Sequence, residues 1–120
     1  MASSDILEQN LSLVFNERDP QKRIAALADL YTDDAVMYEP ENTVTGQAAI
    51  SSTVESLLGG LPPEFLFVPS GATVGHHNVF CLRWTGIIPD GTVIVSGTDI
   101  AHLRDGRIES LYVLINPPSQ

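Results

Sequence analysis

The sequence is poor in the features that define several large classes of protein. It has one cysteine, Cys81, so an intrachain disulfide is impossible and a cytoplasmic location is expected. Its 6 basic and 15 acidic residues give a net charge of −9, which argues against binding nucleic acid or anionic membrane surfaces. No apolar run is long enough to span a bilayer, and we expect no secretory signal in "MASSDILEQN". The expected partner is an apolar small molecule or another protein.

What the chain does contain is enough for one globular domain. Its 120 residues are 43% hydrophobic, and neither a linker nor an internal repeat divides residues 1–120. Apolar residues recur at helical spacing in the first half and alternate with polar residues in the second. Helices followed by a strand meander are typical of an α+β fold.

Boundary signals mark all three predicted helices. The first is expected to begin at Asp5, with Glu8 completing a capping box. The third runs through "GQAAISSTVESLL" and ends at Gly59 and Gly60.

The second helix has the strongest start signal, with Asp19 as N-cap and Pro20 as its first residue. Asp33 and Asp34 are predicted to mark its end. Its predicted apolar face is Ile24, Leu27, Leu30 and Tyr31.

An acid stands at the end of the first predicted strand, "AVMYEP". Alternation places Ala35, Met37 and Glu39 on one side, and Pro40 ends the strand. Later strands are predicted in "EFLFV", "VFCLRWTGII", "TVIVSGTDIAHL" and "IESLYVLI", with "GHHN" as a turn. Glu39 is either a pocket acid or a solvated acid at a strand end.

The last hairpin puts a second acid on an apolar face. With Asp105-Gly106 as a two-residue loop, Asp99 falls opposite Tyr112, and His102 falls opposite Glu109. The residues that share the face of Asp99 are small or apolar: Val95, Gly97, Ala101 and Leu103. Burial there would raise the pKa of Asp99 and suit it to acid–base work near neutral pH.

The register of the preceding hairpin is open. A three-residue loop "PDG" puts Cys81 across from Asp99. A four-residue loop puts Phe80 there and brings Trp84 beside Val95, which makes one face richly apolar, and we prefer it slightly. By default Trp84, Met37 and Phe65 are core residues. Together with Phe80 they are also the candidates for the wall of a ligand site, because such sites are mostly apolar.

Other reactive residues are predicted to be structural. His76 and His77 lie in a turn, and no further ligand completes a metal set with them, so we expect no metal and no cofactor. Cys81 lacks a nearby base and is expected to be a small core residue.

The order of these pieces resembles the nuclear transport factor 2-like superfamily. "LYTDDAVMYEP", "GQAAI" and "GTDIAHLRDGRIESLYVLI" are most similar to SnoaL-like polyketide cyclases and ketosteroid isomerases. The resemblance covers almost the whole chain. It implies helices on a curved, mostly antiparallel sheet that forms a conical pocket (a cystatin-like cone), and a homodimer through the outer sheet face.

The resemblance also implies roles for the two acids. Glu39 matches the general base of the isomerases, and Asp99 matches the acid of their oxyanion site and the base of the cyclases. The isomerases also use a tyrosine on the first helix, where this chain has Leu11. Tyr112 is our own candidate for a hydroxyl that orients one of the acids.

We therefore expect a cofactor-independent enzyme that moves a proton at carbon, as an isomerase, cyclase or dehydratase does. Its substrate would be an apolar carbonyl-bearing or polycyclic molecule, and Asp99 and Glu39 would divide the acid and base roles. A non-catalytic binding protein and a dimeric scaffold whose pocket is closed by Trp84, Phe80 and Tyr112 are alternatives. An epoxide-opening hydrolase is a further alternative.

Overall fold

Within residues 5–117, which the computed structural model describes, the chain forms three helices and seven strands. The first helix consists of α1 (Ile6–Gln9) and a π-helical segment (Asn10–Phe15), and it is followed later by α2 (Pro20–Leu30) and α3 (Gln47–Gly59). The strands are β1 (Tyr31–Glu39), β2 (Asn42–Thr45), β3 (Leu66–Pro69), β4 (Val74–His76), β5 (Val79–Ile87), β6 (Val93–Arg104) and β7 (Arg107–Ile115).

The strands form one curved sheet in the order β2-β1-β7-β6-β5-β3, and β4 also pairs with β5. Every pairing is antiparallel except that of β1 with β7, which is parallel. Apolar side chains of the helices and of one sheet face form a single core. The predicted α+β class, with helices on a curved and mostly antiparallel sheet, is confirmed.

The first helix has a wider turn than the sequence analysis assumed. The predicted capping box is wrong, because the side chain of Asp5 caps no backbone N–H. The N–H of Asn16 donates to the carbonyl of Leu11, five residues back, at 2.8 Å. Inward residues come in pairs every four positions, which suits a π-turn better than the α-helical repeat of about 3.6 residues. These buried residues are Ile6, Leu7, Asn10, Leu11, Val14 and Phe15.

The second helix begins as predicted and ends earlier. Asp19 accepts a hydrogen bond from the Gln21 N–H at 2.9 Å, and Pro20 is the first helical residue. Tyr31 already belongs to β1, so the prediction that Asp33 and Asp34 end a helix is wrong. Both are exposed strand residues, and Asp34 is held by an ion pair with Arg104 of β6 at 2.8 Å.

The buried side of α2 carries a charge. The predicted core residue Ile24 is 49% exposed, whereas its neighbour Arg23 is only 1% exposed. Arg23 donates to Ser51 Oγ at 3.0 Å and to the Glu17 carbonyl at 2.5 Å, and it pairs with Glu55 of α3. Paired in this way, a guanidinium is tolerated in the interior.

Because of a β-bulge in β7, the partner of Asp99 in that strand differs from the predicted one. Arg104 lies opposite Arg107 as predicted, but His102 lies opposite Ser110 because Glu109 is an extra residue. Asp99 therefore pairs with Val113 and not with Tyr112.

A second bulge lies in the hairpin of β5 and β6, and neither of the two registers predicted for that hairpin is right. Gly86 pairs with Val95 and Ile87 with Val93, so Ile94 is the extra residue. Leu82 is therefore opposite Asp99, where we had placed Cys81 or Phe80. Because the shift from the preferred register is two residues, the inward face stays as predicted.

Candidate functional site

An open cavity of about 290 Å³ lies between the helices and the inner sheet face. Its wall is apolar apart from two acids, Glu39 and Asp99. Leu11 and Phe15 of the first helix and Phe67 of β3 are among the apolar contributors. The alternative in which the protein's own side chains fill the pocket does not match this geometry.

The two acids belong to one row of the sheet. The parallel pairing of β1 with β7 ends at Tyr38 with Tyr112, and Glu39 and Val113 are the next residues of the two strands. Val113 is also the partner of Asp99 on its other side. Neighbouring strands lie about 4.8 Å apart, so the backbones of the two acids are separated by about 10 Å. A small molecule above Val113 would have a carboxyl group on either side.

Asp99 is buried, with 3% of its surface exposed, and its environment is apolar. Trp84 Nε1–H donates a hydrogen bond to Asp99 Oδ1 at 2.9 Å. Burial raises the pKa of Asp99 to about 7, and the bond from Trp84 lowers it by a smaller amount. No residue in the described part of the chain donates to the other oxygen, Oδ2, which leaves it available to a ligand.

Gly97 makes the contact between Trp84 and Asp99 possible. It lies opposite Trp84 in the sheet, and a Cβ at Gly97 would fall 2.6 Å from Trp84 Cζ2. The absence of a side chain at Gly97 therefore leaves room for the indole against β6, with its N–H at Asp99.

A second buried polar pair lies near this acid. The hydroxyl of Tyr31 donates to Asn10 Oδ1 at 2.5 Å, and neither side chain is exposed. Burial, followed by the nearby charge of Asp99, raises the pKa of Tyr31 well above its usual value, so the phenol stays neutral. Within residues 5–117, Asn10 Nδ2 has no hydrogen-bond partner.

The structure brings together four of the seven residues predicted for the site. Glu39, Asp99, Trp84 and Phe65 all line the cavity. Met37 does not line it and lies fully buried in the core.

Two other predicted residues also lie away from the cavity. Phe80 is beside Ala101, two residues along the sheet from Asp99. Tyr112 is on the opposite sheet face, 43% exposed and stacked on Tyr38 with ring centroids 4.6 Å apart. Placing Tyr112 beside Asp99 was wrong, because the bulge at Glu109 reverses which residues of β7 face inward.

The histidines lie outside the cavity wall. His77 and Asn78 form the predicted turn, both with positive φ, and His76 touches His77. His102 contacts Glu109 as predicted, at 3.2 Å. Across residues 5–117, no three acidic, histidine or cysteine side chains gather as a metal site. No helix in that range is long and apolar enough to cross a membrane.

Sequence reasoning missed two features of this site. Asn10 interrupts an otherwise apolar four-residue repeat, a signal that was available in the sequence. Ile94 lines the cavity beside Val95 because of the bulge, and no local sequence signal marks that bulge.

Comparison with known proteins gives matches that span the chain. A family model for the SnoaL-like domain matches residues 9–111. No curated protein matches. A proposed isomerase of the SnoaL-like family from Agrobacterium tumefaciens aligns at 26% identity and a TM-score of 0.88, over 98% of this chain and 100% of that one.

Two further solved structures are similar at lower identity. A proposed SnoaL-like polyketide cyclase from Jannaschia has 11% identity and a TM-score of 0.78, over 96% of this chain and 85% of that one. A proposed ketosteroid isomerase from Kribbella flavida has 12% identity and a TM-score of 0.74, over 99% and 81%. At these identities the match concerns the fold, which is the cone that the sequence predicted.

Proposed function

Since the chain belongs to the family of SnoaL-like domains, we propose that it is a small cofactor-independent enzyme that moves a proton at carbon. The observation that carries this proposal is that Glu39 and Asp99 share one otherwise apolar cavity. Two carboxyl groups in different surroundings are able to divide acid and base roles at neutral pH. The reaction class is isomerisation, cyclisation or dehydration of an apolar carbonyl compound.

We assign the acid role to Asp99. With a pKa of about 7, a large share of its carboxyl groups is protonated at neutral pH. A neutral carboxylic acid donates a hydrogen bond to a carbonyl oxygen and stabilises the enolate that forms when a proton leaves the neighbouring carbon. Trp84 donates to Oδ1, and we assign the contact with the substrate to Oδ2.

We assign the base role to Glu39, which is only partly buried at the end of β1. Glu39 and Asp99 line the same cavity, and we place them on opposite sides of the substrate. Glu39 removes the proton from carbon and returns it to another carbon or to the leaving group. Tyr112 has no part in this proposal, because it lies on the outer face.

The test is turnover of a panel of apolar ketones, enones and epoxides by the wild type and Asp99→Asn. An amide cannot supply a proton, so kcat should fall by about 10² to 10⁴. Asp33→Asn, on the exposed side of β1, is the matched control and should keep wild-type activity. Equal activity of Asp99→Asn and wild type would refute the assignment.

The pH profile separates the two possible roles of Asp99. If Asp99 is the acid, activity falls as the pH rises through about 7, because the proton is lost. If Asp99 is the base, activity rises over the same interval. The second outcome would reverse the roles of Asp99 and Glu39.

The second candidate function is binding without catalysis, favoured by the nearly complete apolar lining of the cavity. It predicts ligand affinity that survives Asp99→Asn and no turnover of any compound in the panel. An epoxide opened by water would instead indicate the hydrolase alternative.

We also propose that the protein is a homodimer through the outer sheet face. Exposed apolar side chains cluster there, among them Val79, Tyr112 and Leu114. Leu114→Glu should yield monomers in sedimentation experiments, whereas Ile24→Glu, on an exposed site of α2, should not. A monomeric wild type would contradict the proposal.

A cytoplasmic location rests on the single cysteine and stays a prediction.

A further inference from the structure

The cavity is lined by two acids and, in the described part of the chain, by no basic side chain. Glu39 and Asp99 both line it, whereas no lysine, arginine or histidine does. Arg18 instead donates to the carbonyls of Leu58 and Pro62, near the end of α3, at 3.1 and 2.8 Å. The chain as a whole has a net charge of −9. The electrostatic potential in the cavity is therefore negative, which favours a cation over a neutral molecule or an anion.

Asp99 is the deeper of the two acids, and its second oxygen is available to a ligand. Only 3% of its surface is exposed, and with a pKa of about 7 about half of its carboxyl groups are ionised at neutral pH. Trp84 donates to Oδ1, and no group in residues 5–117 donates to Oδ2. A buried carboxylate is costly unless it is paired with a donor or an opposite charge. A ligand that brings both to Oδ2 gains the most from this acid.

Two titratable side chains of β1 lie near Asp99, and neither carries a positive charge. Tyr31 donates its hydroxyl proton to Asn10, and its pKa is raised well above the usual value by burial and then by the charge of Asp99, so it stays neutral. Glu39 adds a second carboxyl group to the same cavity. The residues that the first helix, α3, β3, β5 and β7 contribute to the cavity wall are uncharged. A cation at Asp99 is thus attracted by both acids and repelled by no lining residue.

The remaining wall suits a hydrocarbon body. It consists of aromatic and aliphatic side chains, and the aromatic ones Phe15, Phe65 and Phe67 are buried. Apolar surface that leaves water for such a wall stabilises a complex roughly in proportion to its area. The cavity therefore matches a molecule with one positive group and an apolar body.

We propose that the cavity is a binding site for apolar primary amines, which enter as ammonium ions and donate a hydrogen bond to Oδ2 of Asp99. An alkylamine resembles the side chain of lysine, whose pKa is about 10.4, so it is protonated at neutral pH. Hydrogen bonds that involve ionised groups are about twice as strong as neutral ones, which favours an amine over an alcohol of the same shape. This ligand class goes beyond the proposed function, because an amine has no carbonyl group. Amines would compete with a carbonyl substrate for Asp99.

The chain carries its own reporter for the test, because Trp84 is its single tryptophan and lines the cavity. We would titrate two matched pairs of compounds at about pH 8 while following Trp84 fluorescence: cyclohexylamine with cyclohexanol, and 1-adamantylamine with 1-adamantanol. Calorimetry would check each dissociation constant. Within each pair the amine should bind at least about tenfold more tightly than the alcohol.

The affinity for the amines should increase with pH, because the ammonium ion pairs with the ionised form of Asp99. With a pKa of about 7 for this acid, the dissociation constant should fall about tenfold from pH 6 to pH 8 and then level off. The alcohols are uncharged, so their dissociation constants should change by less than about threefold over the same interval.

Substitution of each acid tests its share in binding. Asp99→Asn should weaken binding of both amines at least about tenfold and remove the pH dependence, with a smaller effect on the alcohols. Glu39→Gln should weaken amine binding about threefold through the loss of the second charge. The matched control is Glu41→Gln, at an exposed acid that does not line the cavity, and it should have a smaller effect than Glu39→Gln.

Circular dichroism confirms that each variant is folded. If Asp99→Asn does not fold, the pH dependence of the wild type and the comparison of Glu39→Gln with Glu41→Gln decide the question.

The inference is overturned if the amines bind no more tightly than the alcohols, if neither amine binds, or if amine affinity is the same at pH 6 and pH 8. Because the readout is binding, its failure is distinguishable from that of the proposed function. Amine binding without turnover of any ketone would support this inference and not the proposed enzyme. Ketone turnover that an excess of either amine leaves unchanged would support the enzyme and overturn the inference.

Discussion

Gly97 and Trp84 face each other across β5 and β6, and the indole occupies the space that any side chain at Gly97 would need. A Cβ there would lie 2.6 Å from Trp84 Cζ2 and 2.3 Å from the backbone oxygen of Leu114. Neither the ring nor the strand is able to move away cheaply in a packed interior. The hydrogen bond from Trp84 to Asp99 therefore depends on the lack of a side chain at residue 97.

Gly97→Ala should destabilise the protein by about 2 kcal/mol and shift the emission of Trp84, because the indole is displaced from Asp99. Urea unfolding and the fluorescence spectrum measure the two effects. Gly59→Ala, in α3 where a Cβ meets nothing within 4 Å, is the control and should be neutral or slightly stabilising. An unchanged emission spectrum in Gly97→Ala would contradict the packing described.

Asp99 should make stability fall as the pH rises. Its pKa is about 7 in the folded protein and 3.8 as the ordinary value, so between these pH values the folded state holds a proton that the unfolded state has released. The stabilisation is complete below about pH 4 and is lost by about pH 7, to a total of roughly 4 kcal/mol.

Asp99→Asn removes this dependence because the amide does not titrate. The free energy of unfolding of the variant minus that of the wild type should therefore increase from about pH 4 to about pH 7 and then level off. Exposed acids such as Asp34 cancel in this difference. Urea titrations at several pH values measure it, and a flat difference would show that Asp99 titrates normally.

Arg23 should increase the free energy of unfolding although its buried side chain is charged. Arg23→Ala leaves the Ser51 hydroxyl and the Glu17 carbonyl without their partner and opens a void between α2 and α3. We expect a loss of about 3 kcal/mol in urea unfolding. Lys22→Ala, one residue earlier and exposed, should cost less than about 0.5 kcal/mol. Similar losses for the two variants would mean that the buried contacts contribute little.

The contributions of Asn10 and Tyr31 to the free energy of unfolding should be strongly coupled. Tyr31→Phe leaves both polar atoms of the Asn10 amide without a partner and should cost about 1 to 3 kcal/mol. Asn10→Leu combined with Tyr31→Phe removes the whole polar group and should be more stable than Tyr31→Phe alone. A double-mutant cycle in urea measures the coupling, and additive losses would argue against the pair.

The faces of the strands were predictable where alternation alone decides them. Parity with Met37 gave the pocket as one of two positions for Glu39, and the small and apolar residues around Asp99 placed that acid inward. Both acids line the cavity, because side chains alternate between the two faces along any stretch of strand that contains no bulge.

The cross-strand partners were not predictable. Each pairing is counted from the turn, so one extra residue in either strand shifts every pair beyond it. The bulges at Glu109 and Ile94 each add one residue, and neither leaves a mark in the local sequence. The bulge at Glu109 moved Tyr112 to the outer face, and the one at Ile94 brought an unpredicted residue to the cavity. Errors of this kind grow with distance from the loop, so contacts near Asp105 and Gly106 were predicted better than those near Asp99.

The parallel pairing of β1 with β7 has a consequence for how the protein is made. Glu39 ends β1, in the first third of the sequence, and β1 pairs with β7, the last strand within residues 5–117. During synthesis the ribosome must release β7 before the strands that carry the two acids are joined in one sheet. Such distant contacts slow folding, because a long loop has to close first. Until β7 is made, β1 lacks the neighbour that joins it to β6, so the candidate site is among the last features to form.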